Sequence, residues 1–344
     1  MNARIAGILV VLLAVLGGAA LLYQNQESAR RPANSATLGQ KVLPDLKAAD
    51  IASMRIVEPK ATLTLRRGDQ GWTLAERDGF PADFGKVREF VLKAIELKIG
   101  QSEPIGEADR ARLSLDEPGK NAETAGTLVE FGGADGKAIA KLIVGKKYFK
   151  REVENPDRTP ADGRYVLRPD NPGTVLLVSD PLAQANARSA SWIDRNAFKI
   201  EKVKTLEVRY PDGSAWRIER SGDNADWILS GAKPGEKLEI SKANAASYSL
   251  GLLELADVAP PEAKDTGLDQ PTLINASTLT GLTYAVKIGR LEGENYYVSF
   301  TSSGDQPRDK LLSRYVLLVP KSKLDDTLKK RSELLESKPQ DTKK

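Results

Sequence analysis

The chain has no histidine and no cysteine. Without imidazole it lacks the side chain that titrates nearest neutral pH and the commonest ligand for transition metals. Without thiols it has no disulfides, no thiolate nucleophile and no cysteine for lipid attachment. A cysteine-free chain suits an oxidising compartment, where a stray thiol is a liability. Long fields of one charge are also missing: 51 basic and 47 acidic residues are interspersed, for a net charge of +4. That pattern argues against binding a nucleic-acid backbone. What remains is ample for folding, because 344 residues, 40% of them hydrophobic, correspond to about two domains on a ~150-residue scale.

The longest apolar run covers residues 5–23, from Ile5 to Tyr23, and carries no charge. At about 1.5 Å per residue a helix of this length nearly spans a hydrocarbon core of about 30 Å. Arg4 precedes the run and Gln24, Asn25, Gln26 and Glu27 follow it, which favours a cytoplasmic N-terminus and an exported body. Arg30 and Arg31 count mildly the other way. The alternative is a cleaved signal peptide with Gly18 and Ala20 as its small residues. An uncleaved anchor is expected, because the run continues through Leu21, Leu22 and Tyr23. A buried core helix fits poorly, since the segment is apolar on every face.

Beyond a polar linker at residues 24–42, marked by Pro32, the same series of signals occurs twice. Alternating residues 53–57 and 62–65 and the Gly71-Trp72-Thr73-Leu74 segment predict a small meander, and residues 206–210, 215–218 and 226–229 repeat it. Trp72 and Trp227 fall at matching places. Each meander precedes an expected helix, capped by Asp83 in the first half and Ser241 in the second. The first helix is expected to bury Phe84, Val87, Val91, Ala94 and Ile95, with Tyr248 of the second matching Phe90. Both halves then carry a Leu-Asp-x-Pro turn, at Leu115, Asp116 and Pro118 and at Leu268, Asp269 and Pro271, where proline bars helical geometry from the residue before it. Strands over residues 127–131 and 138–144, ending at Gly145-Lys146, are matched by residues 283–288, ending at Gly289-Arg290. Strands at 164–166 and 175–178 are matched by 296–298 and 316–319, with short helical segments at Arg188-Ser189 and Arg331-Ser332. Matching positions lie roughly 140–160 residues apart, too far for a solenoid unit, so duplication of a whole domain is expected.

The apolar N-terminal run, the Gly-Trp-Thr-Leu hairpin, Pro81-Ala82-Asp83, the Leu-Asp-x-Pro turn and the Val-Gly-Lys or Ile-Gly-Arg strand ends together resemble the bacterial DUF4340 family of domains of unknown function. The resemblance runs from about Leu43 to Leu335 and includes Leu43-Pro44-Asp45-Leu46 and Trp192-Ile193-Asp194-Arg195. It implies a membrane-anchored periplasmic protein, of a kind often encoded beside an ABC-type permease, its ATPase and a gliding-motility-type auxiliary protein. The family supplies no catalytic residues to carry over.

Four local patterns invite a chemical reading. Gly132 to Ala138 looks like a phosphate loop, but it is one residue short and has no Ser or Thr after Lys137. A hairpin turn is expected instead. Ser230 and Lys233 have the Ser-x-x-Lys spacing of acyl enzymes in which lysine serves as base. Gly231, Pro234 and Gly235 oppose the helix that would put both on one face. Asp157, Asp162 and Asp170 fall in a Pro- and Gly-rich loop, residues 155–173, without the alternating register of a calcium loop. That loop is expected to be exposed and available to partners. Trp72 and Trp227 could stack on a ligand, yet their repetition predicts core packing, and Trp192 and Trp216 are read with the same caution.

The expected fold is therefore α+β: an N-terminal transmembrane helix at residues 1–23, a linker at 24–42, two tandem homologous domains at 43–190 and 191–336, and a disordered tail at 337–344. Each domain should be a mainly antiparallel sheet with one principal helix. The expected role is a non-enzymatic, single-pass inner-membrane protein with a periplasmic body, serving an ABC-type transport or surface-organising complex through protein contacts. No catalytic residues, metal or cofactor are expected. A glycan- or lipid-headgroup-binding module, with a cleft between the halves, is the alternative. A Ser-Lys hydrolase at Ser230 and Lys233 is a remote one.

Overall fold

A computed structural model describes residues 37–119 and 121–336. The expected membrane span and the tail lie outside the described residues. Among the described residues no helix is long and apolar enough to cross a membrane. The architecture is mainly antiparallel β, with two sheets and few helices. Contacts divide the chain into two compact units. The first comprises the described residues up to Gln70 together with Phe84–Ala187, and the second comprises Gly71–Asp83 with the described residues from Arg188 onward.

In chain order, β1 (Ser53–Glu58), β2 (Ala61–Gly68), β3 (Gly71–Leu74) and β4 (Phe80–Pro81) precede helix α1 (Phe84–Glu96). Then come β5 (Ile99–Pro104), α2 (Glu107–Arg112), β6 (Thr127–Gly132), β7 (Ala138–Tyr148), β8 (Gly163–Leu167) and β9 (Thr174–Val178). Within the first unit the strands run β2-β1-β6-β7-β8-β9-β5. Register alternation defines one face through Met54, opposite Leu65 and Phe131, and Ile56, opposite Leu63 and Val129; all six are buried. Helix α1 buries Val87, Phe90, Val91 and Ala94, an i, i+3, i+4, i+7 stripe. Phe84 is not part of it, contrary to the sequence expectation: it opens the helix and is 63% exposed. Part of the expected linker belongs to the first unit, because the Gly39 amide donates to the Ile99 carbonyl at 2.8 Å and the Val42 amide to the Leu97 carbonyl at 2.8 Å. Val42 is thereby fully buried.

The second unit continues with β10 (Val203–Arg209), β11 (Ala215–Glu219), β12 (Ile228–Leu229), α3 (Ile240–Tyr248) and β13 (Asp257–Val258). It closes with β14 (Thr272–Thr278), β15 (Thr283–Glu292), β16 (Asn295–Ser302), α4 (Pro307–Leu312) and β17 (Leu317–Pro320). Its strand order is β12-β11-β10-β14-β15-β16-β17-β13. Leaving β12 aside, that is the order of the first unit, with β10, β11 and β13 in the places of β1, β2 and β5. Ser241 is not the cap of α3: the flanking residue is Glu239, without a side-chain cap bond, and the Ser241 hydroxyl donates to the Glu239 carboxylate at 2.8 Å. Tyr248 differs from its supposed counterpart Phe90, being 69% exposed where Phe90 is buried.

The repeated wording has a shared structural cause. In both units the ladder slips at the glycine, between Val144 and Lys147 in β7 and between Ile288 and Leu291 in β15. These are bulges, so the strands continue beyond Gly145 and Gly289 rather than ending there. The chain just before the Leu-Asp-x-Pro turn crosses the bulge, and the Lys146 amide donates to the Leu113 carbonyl at 2.9 Å as the Arg290 amide does to the Thr266 carbonyl at 2.7 Å. A Cβ on Gly145 would stand 2.5 Å from the Leu113 oxygen, and one on Gly289 would stand 2.2 Å from the Thr266 oxygen. The residue before each turn leucine is left-handed, Ser114 in one unit and Gly267 in the other. Leu115 then packs with Ile143, Leu167 and Val175 in a compact apolar cluster.

The hairpin at Gly71–Asp83 is held within the second unit. Phe80 is buried with its ring 5.0 Å from that of Tyr315, edge to face, and the Asp83 amide donates to the Trp192 carbonyl at 2.7 Å. Arg77 donates from Nη2 and Nε to the two oxygens of Asp257, at 2.9 and 3.3 Å. The buried Ser189 hydroxyl donates to the same carboxylate at 2.6 Å. At the other end, the segment after β17 straps the second sheet: the Tyr210 hydroxyl and the Trp216 indole reach the Lys329 carbonyl at 2.8 and 2.7 Å. Lys330 lies 3.6 Å from the centre of the Tyr210 ring and donates to Asp212 at 3.0 Å. Hydrogen bonds from the Ser214 hydroxyl and amide, then from Lys330, lower the Asp212 pKa to about 2.

Candidate functional site

The sequence-predicted residues are dispersed. Gly132 to Ala138 forms the β6–β7 hairpin, in which the Gly133 amide donates to the Lys137 carbonyl at 2.8 Å and Gly136 is left-handed. Ser230 lies in a turn: its amide donates to the Arg217 carbonyl at 2.9 Å and its own carbonyl accepts from Arg331. The Lys233 amide donates to the Glu236 carboxylate, and Gly231 and Gly235 are both left-handed. The helical face that Ser-x-x-Lys chemistry requires is not formed.

Within the stretch expected as a loop at residues 155–173, the strand expected at 164–166 forms as β8, which pairs with both β7 and β9. In the same stretch Asp162 accepts from the Lys150 amide and Asp170 is bound by Arg168. Among the described residues no group of three acidic side chains could hold a metal ion. All four tryptophans are buried to 9% exposure or less. Trp227 donates to the Asn244 side chain at 2.9 Å, and Trp216 to the strap carbonyl given above.

A repeated arginine went unnoticed in the sequence. The Arg67 amide donates to the Ala52 carbonyl and its guanidinium to the Ile51 carbonyl, while the Arg220 amide donates to the Lys204 carbonyl and its Nε to the Val203 carbonyl at 2.7 Å. Each arginine stands near the end of the second strand of its meander and fastens the chain entering the first. The usable signal was a shared arginine two residues after Leu65 and Ile218. In the second unit Arg220 also donates to the Asp223 carbonyl and carboxylate and lies 4.7 Å from the centre of the Trp227 ring.

Arg220 and Asp223 of that group line a cleft of about 580 Å³, together with Ile200, Lys202, Asn244, Tyr248 and Leu252. Leu250 and Leu253 point inward and are buried, whereas Tyr248 and Leu252 point outward at 69% and 50% exposure. The result is a braced floor under two exposed apolar side chains. Besides Asp223, the lining also includes Glu201 and Ser247.

In the first unit a second cleft, of about 620 Å³, is lined by Lys41, Lys98, Arg168, Asn171, Thr174 and neighbouring residues. Lys41 pairs with Glu96 at 2.8 Å. That ammonium holds the Glu96 carboxyl below its usual range.

The molecule is thus a protein of two antiparallel-sheet units with a shared strand order and a repeated turn-over-bulge motif. The family model for the domain of unknown function DUF4340 matches residues 72–271, more than half of the chain, and the chain belongs to that family. No curated protein and no solved structure matches it.

Proposed function

We propose that this protein is a membrane-anchored accessory subunit that acts by binding a membrane-transport partner, of the ABC type, on the non-cytoplasmic side. The observation that carries the reading is the second-unit cleft, where Tyr248 and Leu252 are held outward over the Arg220–Trp227–Asn244 brace. Exposed aromatic and aliphatic side chains on a rigid support are what protein interfaces use as anchors. The uncharged run at residues 5–23 behind Arg4 supplies the membrane attachment and, through the positive-inside bias, its orientation. Membership of the DUF4340 family supports the same setting, as members resemble anchored periplasmic proteins encoded beside permease and ATPase genes. The shared strand order and matched bulges support descent of the two units from one duplicated domain.

The experiment is crosslinking and mass spectrometry on the full chain, purified in detergent from its native membrane. Stoichiometric recovery of permease and ATPase subunits is expected. Reproducible recovery without any transporter subunit overturns the reading.

A further inference from the structure

The first-unit cleft has a chemistry the proposed role does not use. Lys41, Lys98 and Arg168 contribute three cations to its wall, with Asn171 and Thr174 as polar neighbours, and no described Asp or Glu lines it. Two of the cations have carboxylates behind them: Lys41 with Glu96, at 38% and 63% exposure, and Arg168 with Asp170, at 36% and 64%. Ion pairs this exposed hold their partners weakly, so an incoming anion can share or replace them. Among the described residues Lys98 makes no ion pair.

The position of the cleft narrows the choice of anion. Its wall includes Thr37, Gly39 and Gln40, the start of the described chain, and only residues 24–36 separate Thr37 from the expected membrane span. A tether of that length reaches at most about 45 Å when fully extended. The cleft can therefore reach the headgroup layer, where phosphate is the abundant anion.

We propose that this cleft binds the phosphate of an anionic phospholipid headgroup, with Lys41 and Lys98 as its main contacts and Arg168 beside them. The proposal rests on the anchored reading above for its choice of a lipid over a free anion. Binding orients the first unit against the membrane that holds the chain.

The test uses the full chain in detergent, titrated separately with short-chain phosphatidylglycerol, short-chain phosphatidylcholine and inorganic phosphate, and read by native mass spectrometry. Phosphatidylglycerol is expected to bind at least about tenfold more tightly than the other two, with affinity falling as salt rises. Lys41→Ala with Lys98→Ala should lower that affinity at least about tenfold, while Lys287→Ala in the second unit leaves it unchanged. An unchanged affinity in the double variant, or equal binding of phosphatidylcholine, overturns the site. Inorganic phosphate binding as tightly as phosphatidylglycerol overturns the lipid assignment. All three substitutions are at surface lysines, and an unaltered melting curve verifies the fold. Extraction of native membranes at alkaline pH tests the anchor separately: release of the chain removes the anchored reading whatever the titration shows.

Discussion

Gly289→Ala isolates the turn-over-bulge contact. Its backbone is outside the left-handed region, so added strain does not come from φ; the cost is steric. The new Cβ would meet the Thr266 oxygen at 2.2 Å and a Leu268 methyl at 3.2 Å, and because the first of these is backbone, one strand or the turn must move. Overpacking of this kind costs about 1–3 kcal/mol. Displacing the turn also endangers the Arg290–Thr266 hydrogen bond, worth about 1 kcal/mol, so a loss of about 2–4 kcal/mol is expected. With a urea slope of about 2 kcal/mol per molar, the second unit's midpoint should fall by about 1–2 M. Gly281→Ala is the control, as it has φ of +87° and open space within 4 Å of where the alanine Cβ would stand; it should cost about 1 kcal/mol from conformation alone. Urea titration followed by tryptophan fluorescence reads both. A Gly289→Ala midpoint no lower than that of Gly281→Ala would refute the claim that the glycine is there for the crossing chain.

Other expectations follow from the same contacts. Asp257→Asn leaves the part-buried Arg77 without its counter-charge and should cost about 1–3 kcal/mol, with faster hydrogen exchange across residues 71–83. The Asp212 carboxyl, depressed to about 2, stabilises the strap at any pH above its unfolded value of about 3.9. That contribution should disappear as pH falls from about 4 to about 2. Carboxyl carbon NMR of Asp212, with exchange of the strap amides, checks it, and a titration near 3.9 would contradict it. Tyr248→Ala should change stability by no more than about 0.5 kcal/mol, as for other exposed positions, yet reduce transporter subunits recovered after crosslinking.

Much of the strand layout was legible because half-buried antiparallel strands alternate, and residues 53–57, 62–65 and 206–210 do so cleanly. The repeated Leu-Asp-x-Pro and Gly-Lys or Gly-Arg wording was equally visible, but its meaning was not. Nothing local shows that one motif crosses the other, so the glycines read as strand ends when they are bulges. Strand β14 was missed where Asn275 and Ser277 break up its apolar residues, and strands β5 and β13 because Ile99–Pro104 is polar and bulged and Asp257–Val258 is two residues long. Each of the last two is defined by a distant partner, β9 or β17. Helix α3 was expected in the right region, but it ends at Tyr248, short of Leu253 to Leu255, which were matched to the first helix, and Ser241 misled as a cap because Ile240 is already helical. Grouping of Gly71–Asp83 with the second unit depends on Phe80, Arg77 and Asp83 meeting residues more than a hundred positions away. Of the candidate surface, Trp227 was visible as a repeated core residue, whereas the outward turn of Tyr248 needed three dimensions, since its counterpart Phe90 points inward.

The most direct test of the accessory role places a photo-crosslinking amino acid at position 248 of the full chain in its native membrane, with position 287 as an exposed control. Crosslinked products are identified by mass spectrometry. Permease peptides joined to position 248 and absent from position 287 are the expected result. Irradiation that yields no transporter peptide at position 248, with the protein intact and in the membrane, would contradict the account.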